Sequence, residues 1–327
     1  MTYRKPATFF ALALLVAAAG VLVTAAPAEA ATVTCGQVIT QDSVLDADVG
    51  PCTGNGIVIG ASNITLDLNG HAVFGSPATP TPPGTDALFP ELTDFNGVVV
   101  TNPHRGVRVR NGTVSGFGIG VTIWYSAGNT IERLTVQDSR CHGIRLQGVQ
   151  SGLSAADNAV RENVVRRNGC AGFYLVQNTV RNTLERNQVV ANAAVGVNLQ
   201  ASGPNNAPRN NLLPQNLITS NGQDGASVSG FGIGNGMAGN IITANGANGV
   251  RLDAAAIGNV VQSNHIRRNA ANGVVGRFGA VQNQITQNVA VENGQVIPGF
   301  DLAEENQNCN NTWTANTFLT RNRACIS

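Results

Sequence analysis

The chain has 327 residues, of which 12% are charged, with a formal net charge of +1, 38 glycines and six cysteines. So balanced a charge leaves no basic footprint for nucleic acid, and so few charges among so much glycine and asparagine disfavour a helical protein. No charged or low-complexity linker divides the chain, so one domain is expected.

Residues 1–30 read as a secretory signal peptide. Arg4 and Lys5 precede an apolar run from Phe9 to Val23, and Ala28-Glu29-Ala30 supplies small residues for cleavage. The run is shorter than the roughly 20 residues of a spanning helix, so the mature chain is expected to have no membrane span and to be extracellular. Six cysteines in an exported chain are expected to be oxidised.

Residues 31–55 are expected to cap one end of a repeating body over 56–300, and 301–327 the other. Glycines that precede an apolar-x-apolar triplet mark the repeat: Gly56, Gly97, Gly120, Gly143, Gly172, Gly196, Gly225, Gly249, Gly273 and Gly299. Their spacing settles near 24 residues, which marks a solenoid. The wide first gap holds an excursion over about 76–95, with Pro77, Pro80, Pro82, Pro83 and Pro90 and the acids Asp86, Glu91 and Asp94. Its prolines predict an extended, mobile segment, either a lid or a surface loop.

From Asn158 onward six segments carry the frame Asn-x4-Asn-x4-Asn: 158, 163, 168; 182, 187, 192; 211, 216, 221; 235, 240, 245; 259, 264, 269; and 283, 288, 293. Apolar residues sit two after the first asparagine (Val160, Leu184, Leu213) and two after the second (Val165, Val189, Ile218). With the pair after each glycine (Ile144 and Leu146, Phe173 and Leu175, Val197 and Leu199), these give three short strands per turn, separated by asparagine or glycine corners. The asparagines suit corners because they tolerate left-handed backbone and stack amide on amide between coils. A leucine-rich repeat has a similar period, but its L-x-x-L-x-L core and helix-forming stretch are missing. The five-residue asparagine spacing breaks the six-residue period of a left-handed hexapeptide helix. The expected fold is therefore all-β, a right-handed parallel β-helix of about ten coils, roughly 48 Å long at about 4.8 Å per coil.

These coils resemble the parallel β-helix repeats of the pectate-lyase-like superfamily over residues 32 to 327. Cys35-Gly-Gln-Val-Ile and Ile64-Thr-Leu-Asp-Leu-Asn-Gly-His71 likewise resemble the opening coil of secreted bacterial β-helix proteins. The repeat then sorts the cysteines. Cys141 and Cys170 each stand two residues before a marker glycine, on one corner of adjacent coils about 4.8 Å apart, within disulfide reach. Cys35 with Cys52 and Cys309 with Cys325 are expected to staple the two caps.

In relatives of this fold the outer face of the first sheet often binds polysaccharide, so its outward residues are the substrate-binding candidates. They form two rows, Thr122, Arg145, Tyr174, Asn198, Ser227 and Arg251, then Trp124, Gln147, Val176, Gln200, Ser229 and Asp253, of which Arg145, Tyr174, Asn198, Arg251 and Trp124 are expected to contact the sugar. Arginine, amide and aromatic groups suit sugar carboxylates, hydroxyls and ring faces, and an ordinary solvated sheet face is the alternative. The distance from marker glycine to first asparagine is 15 residues rather than 10 in two coils, which places five-residue insertions near Gln150 to Ala155 and Gly203 to Pro208. They either wall a cleft beside this sheet or vary as surface loops.

Glycosidase chemistry needs two carboxyls on one face, and the sheet offers Asp253 with Asp224 at the preceding corner, offset by five positions. Cys141-His142-Gly143 resembles the Gly-His-Gly of polygalacturonases, which makes His142 a third catalytic candidate, although the Asn-Thr-Asp, paired-aspartate and Arg-Ile-Lys motifs are missing. Asn102-Pro103-His104 resembles the Asp-Pro-His of β-helical mannuronan epimerases, with asparagine where the acid belongs. No zinc, phosphate-loop or nucleophile-elbow motif is present, so neither metal nor cofactor is expected. Two functions follow as expectations: a secreted protein that binds or modifies an extracellular polysaccharide with lyase, hydrolase or epimerase-like activity, or a non-catalytic envelope or adhesion scaffold. The identity of the glycan and the oligomeric state are not written in these motifs.

Overall fold

A computed structural model describes residues 30–77, 95–149 and 152–327. Residues 1–29 of the expected signal peptide, the centre of the excursion expected over 76–95, and positions 150 and 151 lie outside the described residues. The fold is a right-handed parallel β-helix with eleven strands stacked in its first sheet. Ten coils were expected because counting began at Gly56. The additional strand, Gln37–Ile39, lies in the segment expected as a cap and pairs in parallel with Ile57–Ile59. It escapes the pattern because Gln37, not an apolar residue, follows Gly36.

One row of contacts fixes the register of the first sheet: Val121, Ile144, Phe173, Val197, Ala226, Val250, Val274 and Leu302 are successive partners. All eight are buried, each contributing roughly 1.5–3 kcal/mol where the side chain is large. In the last coil Asp301, not Gly299, holds the position before the strand, since Leu302 pairs with Val274. The second and third strands of each coil merge into one larger sheet because Arg108–Ser115 and Thr130–Gln137 run unbroken around the corner between them. The marker glycines allow a close approach. A Cβ on Gly172 would sit 2.8 Å from the Asn192 amide and 2.8 Å from the Gly196 carbonyl oxygen.

The frame asparagines are buried and form continuous ladders. Nδ2 of Asn158 donates to Oδ1 of Asn182 at 2.8 Å, and that of Asn182 to Asn211 at 2.9 Å. Each Oδ1 also accepts the backbone N–H of the asparagine one coil earlier, and the second Nδ2 hydrogen reaches a carbonyl, as from Asn182 to Ala155 at 2.9 Å. The amide group of every frame asparagine is thereby satisfied. The left-handed backbone, however, belongs to the residue before each asparagine: Asp157, Glu162 and Arg167 have φ of 55°, 57° and 52°. The turn at that residue directs the asparagine side chain inward and leaves its own charged side chain in solvent.

Because every amide in a ladder points the same way, each ladder has a positive, N–H-bearing end. Carboxylates occupy that end in two of them. Asn311 donates to Oε2 of buried Glu304 at 2.8 Å, and Asn293 to Oδ1 of buried Asp301 at 3.0 Å. A shorter outer ladder runs in the opposite sense, from Asn272 to Asn248 at 3.0 Å and from Asn248 to Asp224 at 2.8 Å, and it too ends on a carboxylate. The logic matches that of an anion at a helix N-terminus.

Charges alternate along the second row: Asp67, Arg110, Glu132, Arg161 and Glu185 are successive partners. Glu132 is fully buried and meets Arg108, Arg133 and Arg161. Burial works against its charge, but hydrogen bonds from Arg108 and Arg161 outweigh that and hold the carboxyl below its ordinary range. The three disulfides are Cys35–Cys52, Cys141–Cys170 and Cys309–Cys325.

Candidate functional site

Stacking puts the outward row in the expected register, with Thr122, Arg145, Tyr174, Asn198, Ser227 and Arg251 as successive partners on coils four to nine. The row is not uniformly solvated: Thr122, Arg145 and Ser227 are buried, and Arg145 is only 2% exposed. The ring of Trp124 lies 5.8 Å from its guanidinium carbon and Tyr174 is its partner on the next coil. Burial lowers the Arg145 pKa to about 10, with Tyr174 and Tyr125 pulling the other way, so the group stays cationic at neutral pH. Its Nε and Nη2 have no hydrogen-bond partner among the described residues.

His142 holds the corner before Gly143, and its ring stacks on Tyr174 with centroids 4.3 Å apart. Burial and the neighbouring Arg145 push its pKa down to about 3, against a backbone hydrogen bond with Ala171, so the imidazole is neutral. Tyr174 donates from its hydroxyl to Oε1 of Gln200 at 3.2 Å, and Nδ2 of Asn198 donates to the same oxygen at 3.2 Å. Ser229 completes the network by donating to Oδ1 of Asn198 at 2.8 Å. These groups surround a cleft of about 250 Å³ lined by His142, Cys170, Tyr174, Asn198, Gln200 and Gln223.

The two insertions are joined to each other. Nδ2 of Asn178 reaches the carbonyls of Val149 and Leu153 in the first, at 3.4 and 3.3 Å, and its backbone N–H donates to Asn206 in the second, at 2.6 Å. Both therefore rise along the edge that carries Gln147, Val176 and Gln200.

Asp224 and Asp253, offset by five positions, are brought together by the arginine between them. Nε of Arg251 lies 2.8 Å from Oδ2 of Asp224, a charge contact rather than an aligned hydrogen bond, and Nη1 lies 3.5 Å from Asp253. Asp224 also ends the outer ladder, and Asp253 lies 4.0 Å from Arg277. Arg251, expected as a sugar ligand, is thus bracketed by two acids. His104 sits in the turn after Asn96–Thr101, its carbonyl accepting a hydrogen bond from Ser126.

Gln200 was placed in the second outward row and Cys170 in a disulfide, but the roles of Gln200 as hub and of Cys170 and Gln223 as lining were not read from the sequence. Their signal was positional: Cys170 and Gln223 both stand two residues before a marker glycine. A neutral imidazole against a phenol, beside a buried cation, offers the group types for proton transfer next to an anion. The acids nearby are engaged with arginine.

A polar cleft on the first sheet of a right-handed parallel β-helix is thus the class of site. The chain belongs to the family described as right handed beta helix region, whose sequence profile matches residues 49–213. No curated protein matches it. Among solved structures it is similar to the A-module of the mannuronan C-5 epimerase AlgE4 of Azotobacter vinelandii, at 15% identity and a TM-score of 0.54, over 90% of this chain and 88% of that one. It is also similar to a variant of the periplasmic alginate epimerase AlgG, at 14% identity and 0.58, over 87% and 69%. An alginate lyase from Paenibacillus sp. str. FPU-7 is similar at 13% identity and 0.55, over 84% and 89%. Identities this low make these likenesses of fold.

Proposed function

We propose that the protein binds an anionic polysaccharide laid along the helix axis over coils four to eight of the first sheet. The observation that carries this reading is Arg145, a buried cation with no acid facing it among the described residues, beside a cleft lined by a phenol, an imidazole and three amides. An unpaired cation in a low-dielectric setting favours a ligand carboxylate strongly, and the amides suit sugar hydroxyls. Trp124, Tyr174 and Asn198 stay within this reading as the flanking contacts, whereas Arg251 acts through its pairing with Asp224 and Asp253. The similar folds that carry alginate epimerase and lyase names agree with a uronate-bearing glycan. Three disulfides fit an oxidising compartment, extracellular or periplasmic. Among the described residues no helix is long and apolar enough to cross a membrane.

The test is retention on a panel of uronate and neutral polysaccharides, with assays for unsaturated and reducing ends. Uronate chains are expected to be retained over neutral ones, with retention weakened in Arg145→Gln; indifference to every glycan overturns the reading. A second reading, a non-catalytic adhesion or envelope scaffold that holds the glycan without turning it over, is favoured by the engagement of Asp224 and Asp253 with Arg251. It predicts retention with no product.

A further inference from the structure

Where the fifth and sixth coils meet, one corner of the cleft is built from the Cys141–Cys170 disulfide and the imidazole of His142. The donor atoms of these three residues lie within 4.8 Å of one another, and Cys170 and His142 both line the cleft. Nδ1 of His142 is buried and has no hydrogen-bond partner among the described residues. The ring is held flat against Tyr174, so its plane is fixed before any ligand arrives.

We propose that reduction of Cys141–Cys170 opens a two-cysteine, one-histidine site for zinc. A dithiol gives up two electrons and its own two protons and becomes a disulfide, whereas a phosphine takes the oxygen of one water to become the phosphine oxide and leaves that water's two protons to the sulfurs; either way the bridge becomes two thiols. Zinc then displaces both thiol protons and is bound by two thiolates and the neutral imidazole. Two thiolates and an imidazole match the ligand preference of this ion, and the fourth tetrahedral position faces the cleft, open to water or to a ligand.

The backbone at this corner does not depend on the sulfur bridge. Cys170 N donates to Cys141 O at 2.9 Å and Gly169 N to Ser139 O at 2.8 Å, while Asn168 locks the same turn into its ladder. The Cα atoms, 4.4 Å apart, therefore stay in place when the bridge opens. Zinc–sulfur bonds of about 2.3 Å place two tetrahedral thiolates about 3.8 Å apart, within reach of rotation about the two Cα–Cβ bonds. The other two disulfides lie in the terminal coils and have no histidine in such a cluster among the described residues.

The full chain, treated with a phosphine reductant and titrated with Co(II) as a spectroscopic probe, is expected to develop thiolate-to-cobalt charge-transfer and tetrahedral ligand-field bands at one equivalent. The oxidised chain should show neither. Zinc is expected to protect Cys141 and Cys170, but not the four terminal cysteines, from alkylation read by mass spectrometry, and this measurement uses the unaltered sequence. His142→Ala should remove the ligand-field bands while circular dichroism stays that of a β-helix. Absence of protection at Cys141 and Cys170, or cobalt binding unchanged in His142→Ala, overturns the proposal.

Discussion

The imidazole of His142 lies almost parallel to the ring of Tyr174, the two planes inclined by 20°. One consequence is a pH dependence. His142 stays neutral in the folded chain down to about pH 3 but titrates near 6.5 when exposed, so between those values the unfolded chain binds the additional proton. Stability is therefore undiminished above about 6.5 and falls as pH drops toward 3, by a few kcal/mol in all. The acid limb of the melting temperature against pH should be shallower in His142→Gln than in the parent. Identical limbs count against a buried neutral histidine.

The hydroxyl of Tyr174 and the amide of Asn198 share one acceptor, Gln200. Tyr174→Phe keeps the stack and deletes one neutral hydrogen bond, so glycan affinity should weaken by about 0.5–1.5 kcal/mol. Tyr174→Ala also removes the aromatic face and should weaken binding further. Calorimetric titration with a uronate oligosaccharide ranks the three proteins, and equal affinities would place the ligand elsewhere.

Asp301 takes the end of one ladder at Oδ1 and the N–H groups of Leu319 and Thr320 at Oδ2, at 2.9 and 3.0 Å. Asp301→Asn turns one acceptor into a donor that faces donors. A loss of about 2–4 kcal/mol is expected, read as a lower urea midpoint at unchanged slope. An unaltered midpoint would mean that water replaces the carboxylate.

Glu132→Gln leaves Arg108, Arg133 and Arg161 around a neutral amide. Those arginines are partly solvated, so the expected cost is about 1–3 kcal/mol. The folded carboxyl titrates below its ordinary 4.5, so its contribution is complete above that value and is lost as pH falls through the lower one. Parent and variant should therefore converge in acid, which chemical denaturation across pH checks directly.

Much of this was legible because the repeat is strict. Period, strand positions, disulfide pairs and the register of the outward row follow from counting. The first coil was missed because Gln37 follows Gly36 where the pattern requires an apolar residue, and the last marker was misplaced because Asp301 does the work of a glycine corner. The burial of Arg145 is set by how far Trp124 and Tyr174 reach across neighbouring coils, which spacing does not encode. Asp224 and Asp253 looked too far apart along the strand; the length of the Arg251 side chain closes that gap.

The unbroken ladders also constrain how such a chain can change length. Ladder partners are 24 residues apart in most coils, 29 where a five-residue insertion leaves the frame between marker glycine and first asparagine, and 28 at the last rung, where the additional residues leave between Asn293 and Asp301. Gain or loss of one whole coil keeps all three ladders aligned, while a change of any other size within the frame misaligns every amide beyond it at once. The frame can thus lengthen only in whole coils, and residues added in other numbers leave it at corners, as they do beside the candidate cleft, between Gly75 and Gly97, and between Asn293 and Asp301.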